Sequence, residues 1–163
     1  MSPAAVSRRS FVVAFVVVAV VVGLDQLTKA WAVRALADAP VEVVGDFVTF
    51  TLSFNSGAAF SLLAGQTAVL AVLAIAITVA LVWVLVRTHS TGMAVALGLL
   101  LGGALGNLAD RVFRAPGFLE GEVVDFVSVG TFPTFNVADS SITVGAVLVI
   151  WFGLQGELES DPA

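Results

Sequence analysis

The chain has 163 residues, 59% of them hydrophobic and only 12% charged, with a mean hydropathy of +1.06. That composition excludes an ordinary soluble domain and, with long apolar runs separated by clusters of charge, points to a polytopic membrane protein. The formal charge of −5 is spread without any basic stripe, which excludes nucleic acid as a partner, and the lack of cysteine excludes disulfides, thiolate catalysis and cysteine-based metal sites.

A spanning helix needs about 20 mostly apolar residues. The first span is predicted over residues 11–30, where the apolar run Phe11 to Leu24 reaches that length only by taking in Asp25 and Lys29. The stretch SRRSFVV (Ser7 to Val13), with Ala30-Trp31-Ala32 behind it, has the look of an export signal and its cleavage site. Asp25 and Lys29 would serve nothing in a removed leader, and three more spans follow. The helix is therefore read as retained, with Arg8 and Arg9 as a cytoplasmic anchor. Asp25 and Lys29 stand four apart in the favourable order and read as a structural ion pair at the membrane edge.

Residues 41–62 form an outer β segment. Val48, Phe50, Leu52 and Phe54 alternate with Thr49, Thr51, Ser53 and Asn55, the period of a half-buried strand, and the Asn55-Ser56-Gly57 turn ends it. Val41 to Val44, set off by Gly45-Asp46, is a partner strand. Such a sheet would lie on the outer membrane surface with one apolar and one wet face.

The second span, residues 66–87, is full length without polar help. His89 sits in the short polar loop beyond it and reads as solvated. The third span, residues 92–110, carries Gly98, Gly102 and Gly106 at four-residue intervals, which lets another helix approach closely. Gly103, Asn107 and Arg111 form the adjacent row. Val112 to Asn136, broken by Pro116-Gly117 and Pro133, reads as loop with a short helix and carries Asp125 in the apolar run Val123-Val124-Asp125-Phe126-Val127. The fourth span, residues 137–155, borrows Asn136 and Asp139 at its start. The whole of 1–163 is read as one polytopic membrane domain.

Three spans thus bring polar groups to one membrane face, and polar groups within a membrane are functional candidates. Asp125 and Asp139 stand out. Two carboxylates brought together share a proton, so that one acts as base toward water while the other donates to a carbonyl oxygen. Spacing alone does not show that they meet, and two ordinary interfacial aspartates are the competing reading. Asn136 as N-cap of the fourth helix is compatible with either. Asn107, Asp110 and Arg111 equally fit a polar cluster that only anchors its helix.

The ordered motifs DQLTKAW (Asp25 to Trp31), FNSGAAFS (Phe54 to Ser61), GGALGNLADR (Gly102 to Arg111), VVDF (Val123 to Phe126) and FNVADSSI (Phe135 to Ile142) resemble the bacterial signal peptidase II family, the lipoprotein signal peptidases. The resemblance covers nearly the whole chain. It implies four transmembrane helices with an extracytoplasmic β-cradle and a short outer-surface helix or loop. It also implies cytoplasmic termini, a bacterial cytoplasmic membrane and a site near the outer face. The implied activity is that of an aspartic endopeptidase cleaving diacylglyceryl-modified prolipoproteins just before the lipidated cysteine, with membrane lipids around it and neither metal nor cofactor. By motif, Asp125 and Asp139 would be catalytic. Asn55, Gly57, Asn107, Arg111 and Asn136 would line the substrate site, with Asp25, Lys29 and Asp110 in a supporting polar shell.

A raw count of basic residues does not favour this orientation, since Lys29, Arg34, Arg111 and Arg114 then lie outside. An ion-coupled transporter is the alternative enzyme-free use of such carboxylates, but its sites lie at midplane within repeated, broken helices, and no repeat is visible here. A lipid-binding membrane protein is the other, and would survive loss of both aspartates.

Overall fold

The computed structural model describes residues 8–57 and 67–160. Four helices in that part are long and apolar enough to cross a membrane: α1 (Arg8–Ala35), α2 (Thr67–Leu85), α3 (Thr91–Phe113) and α4 (Val137–Ser160). The described residues also form four strands, β1 (Val41–Val44), β2 (Val48–Asn55), β3 (Val123–Val129) and β4 (Phe132–Phe135). Ser7, the latter part of FNSGAAFS, the end of the expected 41–62 segment and the first residue of the expected 66–87 span lie outside the described residues.

Helix α3 is the hub. It packs on α1, α2 and α4, and carries more buried residues than any other of the four helices. Its small residues explain why. The α1 residues Val17, Val21 and Asp25 sit directly over Gly98, Gly102 and Gly106 in turn, the close approach that the four-residue spacing predicts. Both series ascend together, so α1 and α3 run parallel. On the adjacent face Gly103 abuts the Ala138 carbonyl and Ile142 of α4, while Gly145 of α4 abuts Leu100 and the Ala96 carbonyl of α3. These pairs run in opposite order, so α4 is antiparallel to α3. Phe15, Leu27, Val79 and Ile150 stay outward, each more than half exposed, as the lipid-facing surface of such a bundle requires.

A packing prediction follows for Gly103. A side chain there has no room, because the opposing atoms include α4 backbone rather than the end of a flexible side chain. Gly103→Val should lower stability by about 1–3 kcal/mol and reduce activity by shifting the start of α4. Thermal unfolding in detergent checks this; an unchanged midpoint would mean that the α3–α4 contact does not set the bundle.

The sheet is antiparallel, in the order β1-β2-β3-β4. The expected β1–β2 pair is present. Residues 112–136 differ from the sequence reading: only part of them is loop, and two strands follow it. The run Val123 to Phe126 is buried throughout and does not alternate, so its pattern cannot distinguish a strand from a helix. Pro133 argues against a strand except at an edge, and β4 is an edge strand, joined to β3 through Gly130 at φ +53.

Trp31, near the end of α1, mounts the sheet on the bundle. It meets Phe50 and Phe126 edge-on at 5.5 and 6.0 Å, beside Ala32, Leu36 and Val124. A bulge lies between Phe50, which opposes Val127, and Ser53, which opposes Asp125. That extra residue breaks the strict alternation of β2. Phe54 is left 51% exposed, and Asn55 reaches Asp125.

Candidate active site

The polar residues that the apolar spans had to borrow converge at one end of the bundle, under the sheet. Sequence alone gives the reason for one of them. Asn136 is the N-cap of α4: its Oδ1 accepts the Asp139 N–H at 2.9 Å, and Asp139 Oδ2 accepts the Asn136 N–H at 3.2 Å. This reciprocal cap satisfies two N–H groups and fixes the Asp139 side chain in the first turn.

Asp125 enters from β3. It is 2% exposed, and its Oδ1 accepts from Asn136 Nδ2 at 2.6 Å while its Oδ2 accepts from Asn55 Nδ2 at 3.0 Å. Asn136 therefore stands between the two carboxylates and holds both. Asp139 Oδ1 accepts from Asn107 Nδ2 at 2.8 Å. Three asparagines, from β2, α3 and the cap of α4, thus meet two aspartates, from β3 and the first turn of α4.

Behind them lies a buried ionic cluster. Lys29 Nζ sits 2.8 Å from Asp25 Oδ2, 2.9 Å from Asp110 Oδ2 and 2.9 Å from Asn107 Oδ1, with none of the lysine, Asp25 or Asp110 side chain exposed. The Asp25–Lys29 pair of the sequence reading is present, but it is a triad. Asp25 Oδ1 accepts the Ala138 N–H at 3.0 Å, and Asp110 Oδ2 accepts the Val124 N–H at 3.2 Å. Each buried aspartate therefore pins the backbone one residue before a candidate carboxylate, and Lys29 ties the two pins together. Charges so enclosed must be paired and fully hydrogen-bonded to be tolerated, and these are.

Sequence reading missed Gln26, which is part of DQLTKAW but carries no charge to draw notice. Its Nε2 lies 3.1–3.2 Å from Asp25 Oδ2, the Gly106 carbonyl and Asp110 Oδ1. Adjacency to Asp25 in a motif was the only signal available.

Arg111 is 8% exposed; its Nη2 donates to the Gly57 carbonyl at 3.3 Å, and its Nη1 has no partner among the described residues. It borders a cavity of about 320 Å³ that Asn55, Gly57, Asn107, Asp125 and Asp139 also line. The rest of that cavity is apolar, with Leu73 and Ile77 from α2 facing Leu100 from α3 and Ile142 from α4. Asn136 holds the carboxylates without lining it. A long greasy cleft closed at one end by two carboxylates, amides and a guanidinium is equipped to seat an apolar chain and act on a polar bond at its end.

Burial lifts the Asp125 carboxyl to about 6, and the neighbouring charge of Asp139 adds to the rise, while the Asn55 and Asn136 amides oppose it. A raised folded-state value favours folding below the ordinary carboxylate range and loses that contribution as pH rises through about 6. The stability of the protein relative to an Asp125→Asn variant should therefore fall by roughly 3 kcal/mol between about pH 4 and pH 7. Thermal midpoints of both proteins across that range measure it, and a constant difference would contradict the burial argument.

Four spanning helices, a surface sheet and paired carboxylates at the mouth of an apolar cleft define a membrane protein of the polytopic class with an enzyme-like site. Comparison with known proteins makes this specific. The family model described as signal peptidase (SPase) II matches residues 17–155, and the chain belongs to that family. It is 50% identical over 156 residues to the lipoprotein signal peptidase of Mycolicibacterium smegmatis, covering 95% of this chain and 66% of that one, just under two thirds of its length. It is 51% identical over 141 residues to the lipoprotein signal peptidase of Mycobacterium avium, covering 86% of this chain and 78% of the other. A solved structure described as a bacterial membrane enzyme superposes with TM-score 0.78 at 34% identity, over 92% of both chains. The expected fold class is the one found.

Proposed function

We propose that the protein is an intramembrane aspartic endopeptidase that removes the signal peptide from diacylglyceryl-modified prolipoproteins, cutting before the lipidated cysteine. The observation that carries this reading is the placement of Asp125 and Asp139 together at the polar end of an apolar cleft. Family membership supports the substrate class. In this scheme the proton is assigned to Asp125, whose buried carboxyl is raised to about 6. Asp139 takes a proton from water, the water adds to the scissile carbonyl, and Asp125 donates its hydrogen bond to the oxygen that becomes negative; the tetrahedral intermediate then collapses, the C–N bond breaks, and Asp139 passes the proton it took to the leaving amine. Arg111 Nη1, without a partner among the described residues, would meet a carbonyl of the bound peptide, while the Gly57 carbonyl holds Nη2 of the same guanidinium. The apolar wall of Leu73, Ile77, Leu100 and Ile142 suits a signal-peptide segment or acyl chain. No metal or cofactor takes part in this scheme. A transporter is disfavoured because the carboxylates sit at the sheet end of the helices rather than at midplane.

The direct test is incubation of the purified protein with a diacylated prolipoprotein, expected to release the signal peptide. Release from the unlipidated precursor at the same rate would remove the lipid from the recognition scheme, and no release from either would remove the activity.

Orientation follows from the same reading: the α2–α3 loop faces the cytoplasm, the sheet faces outward, and the membrane is the bacterial cytoplasmic one. The chain has no native cysteine, so single introduced cysteines report cleanly. In intact cells an impermeant thiol reagent should label Asp46→Cys in the β1–β2 turn and spare His89→Cys, both at exposed positions. The opposite pattern would invert the topology.

A further inference from the structure

A carboxamide presents a donor at one end and an acceptor at the other, so its effect on a carboxylate depends on which end faces it. The three asparagines of the site each have that choice fixed by a neighbour that can only donate or only accept. Asn55 turns its Oδ1 to the Gly57 N–H at 3.0 Å, which leaves Nδ2 for Asp125. Asn136 turns its Oδ1 to the Asp139 N–H, and its Nδ2 lies 3.3 Å from the Val124 carbonyl. Both of these locks are backbone groups.

The locks on Asn107 are side chains. Its Oδ1 receives Lys29 Nζ at 2.9 Å and Asn136 Nδ2 at 3.2 Å; the lysine contact is the shorter and the charged one, and an ammonium has no acceptor to offer. Turning the amide over would press its NH₂ against the ammonium and its carbonyl against Asp139. The observed orientation sends Nδ2 to Asp139 Oδ1 at 2.8 Å. Lys29 is wholly buried, and its three hydrogens are matched by Asp25, Asp110 and Asn107. It does not reach the cleft and has no hydrogen left for a substrate.

We infer that Lys29 is a positioning residue for the reaction, acting through Asn107: it fixes the Asn107 amide so that a donor, never an acceptor, faces Asp139. The inference rests on the aspartyl reading above and adds a role beyond the ion pair. With the amide reversed, two acceptors would face each other, and the clash would be relieved by moving the shared proton onto Asp139. The base would then be lost. The charged groups around this relay are Asp25 on α1, Asp110, Arg111 and Arg114 on α3, Asp125 on β3 and Asp139 on α4. Asp110 also holds Arg114 Nε at 2.6 Å, so it keeps a cationic partner if Lys29 is removed.

The test is a double-mutant cycle on the full-length protein with a diacylated prolipoprotein as substrate. The charge-balanced pair Asp25→Asn with Lys29→Met removes the ammonium without leaving Asp25 unpaired. In the parent background it should lower kcat by about tenfold or more and leave KM within about twofold. In an Asn107→Ala background, where no amide is left to orient, the same pair should lower kcat by no more than about twofold. Equal losses in both backgrounds, or a loss carried by KM, would overturn the inference, because a merely structural lysine acts regardless of Asn107.

Should the pair fail to fold, Asn107→Asp decides. It keeps the size and the Lys29 contact but turns an acceptor toward Asp139, and kcat should fall by about tenfold or more at unchanged KM. Retained kcat would show that no donor is needed there. Asp125→Asn and Asp139→Asn serve as references. Turnover by either sinks the aspartyl reading itself, whereas inert references with an additive cycle sink only the role of Lys29.

Discussion

Asp125→Asn and Asp139→Asn should each insert into the membrane, fold, and release no signal peptide. The two carboxylates come from different elements, a strand and the first turn of a helix, and are brought to one cleft by Asn136, which donates to Asp125 through its amide and to Asp139 through its backbone N–H. Neither alone can supply both a base and an acid, so each replacement removes the chemistry rather than part of it. Every oxygen of the pair already accepts an N–H, so an asparagine in either place turns one donor against another. That costs about 1–3 kcal/mol, too little to unfold the bundle. The two variants should differ in binding. Asp125 is the carboxyl raised by burial and is assigned the proton in the proposed mechanism, so a neutral amide imitates it. Asp125→Asn should bind an uncleavable, hydroxyl-bearing substrate mimic within about threefold of the parent. Asp139→Asn, having lost the charge that accepts the hydroxyl proton, should bind it about tenfold more weakly or worse. Binding measured by calorimetry in detergent separates them. Substantial turnover by either purified variant would end the aspartyl mechanism, and equal weakening in both would show that the proton is not held on Asp125.

The second large effect is on stability. Asp110→Ala removes the acceptor for Lys29, for Arg114 Nε, for Gln26 and for the Val124 N–H at once. The lysine and the backbone N–H are left buried, and breaking such a network by deleting one partner costs about 3–5 kcal/mol. For a protein of this size that corresponds to a thermal midpoint lower by about 10 °C. Activity should fall further than stability alone explains, because Val124 is the residue that precedes Asp125 and loses its tether. Unfolding curves and activity at a temperature where the variant is folded give the two quantities. A midpoint within a degree or two of the parent would show that the ion cluster does not hold the strand.

Much of this was legible in the residues. The four apolar runs specify helices because a chain in lipid must satisfy its backbone within each segment, so length and composition decide. The glycine spacing on the third run required a close neighbour, and the Asn136–Asp139 spacing required a cap, since both depend only on local geometry. The alternation of Val48 to Asn55 announced β2 for the same reason.

What local pattern could not decide was set by contacts distant in sequence. The strand β3 was hidden because its start is buried on both faces and has no period, and its partner, β2, lies on the far side of two helices; β4, which pairs with β3, was hidden by Pro133. That Lys29 serves Asp110 and Asn107 as well as Asp25 required α1 to lie parallel along the glycine face of α3, a fact of packing that no spacing within α1 contains. The meeting of Asp125 with Asp139 likewise depends on the β2 bulge, the α4 cap and the two buried pins acting together. Composition and periodicity determined which residues had to leave lipid; only the tertiary structure decided which of them face one another, because hydrogen-bond partners buried in common are chosen by the whole fold and not by the segment.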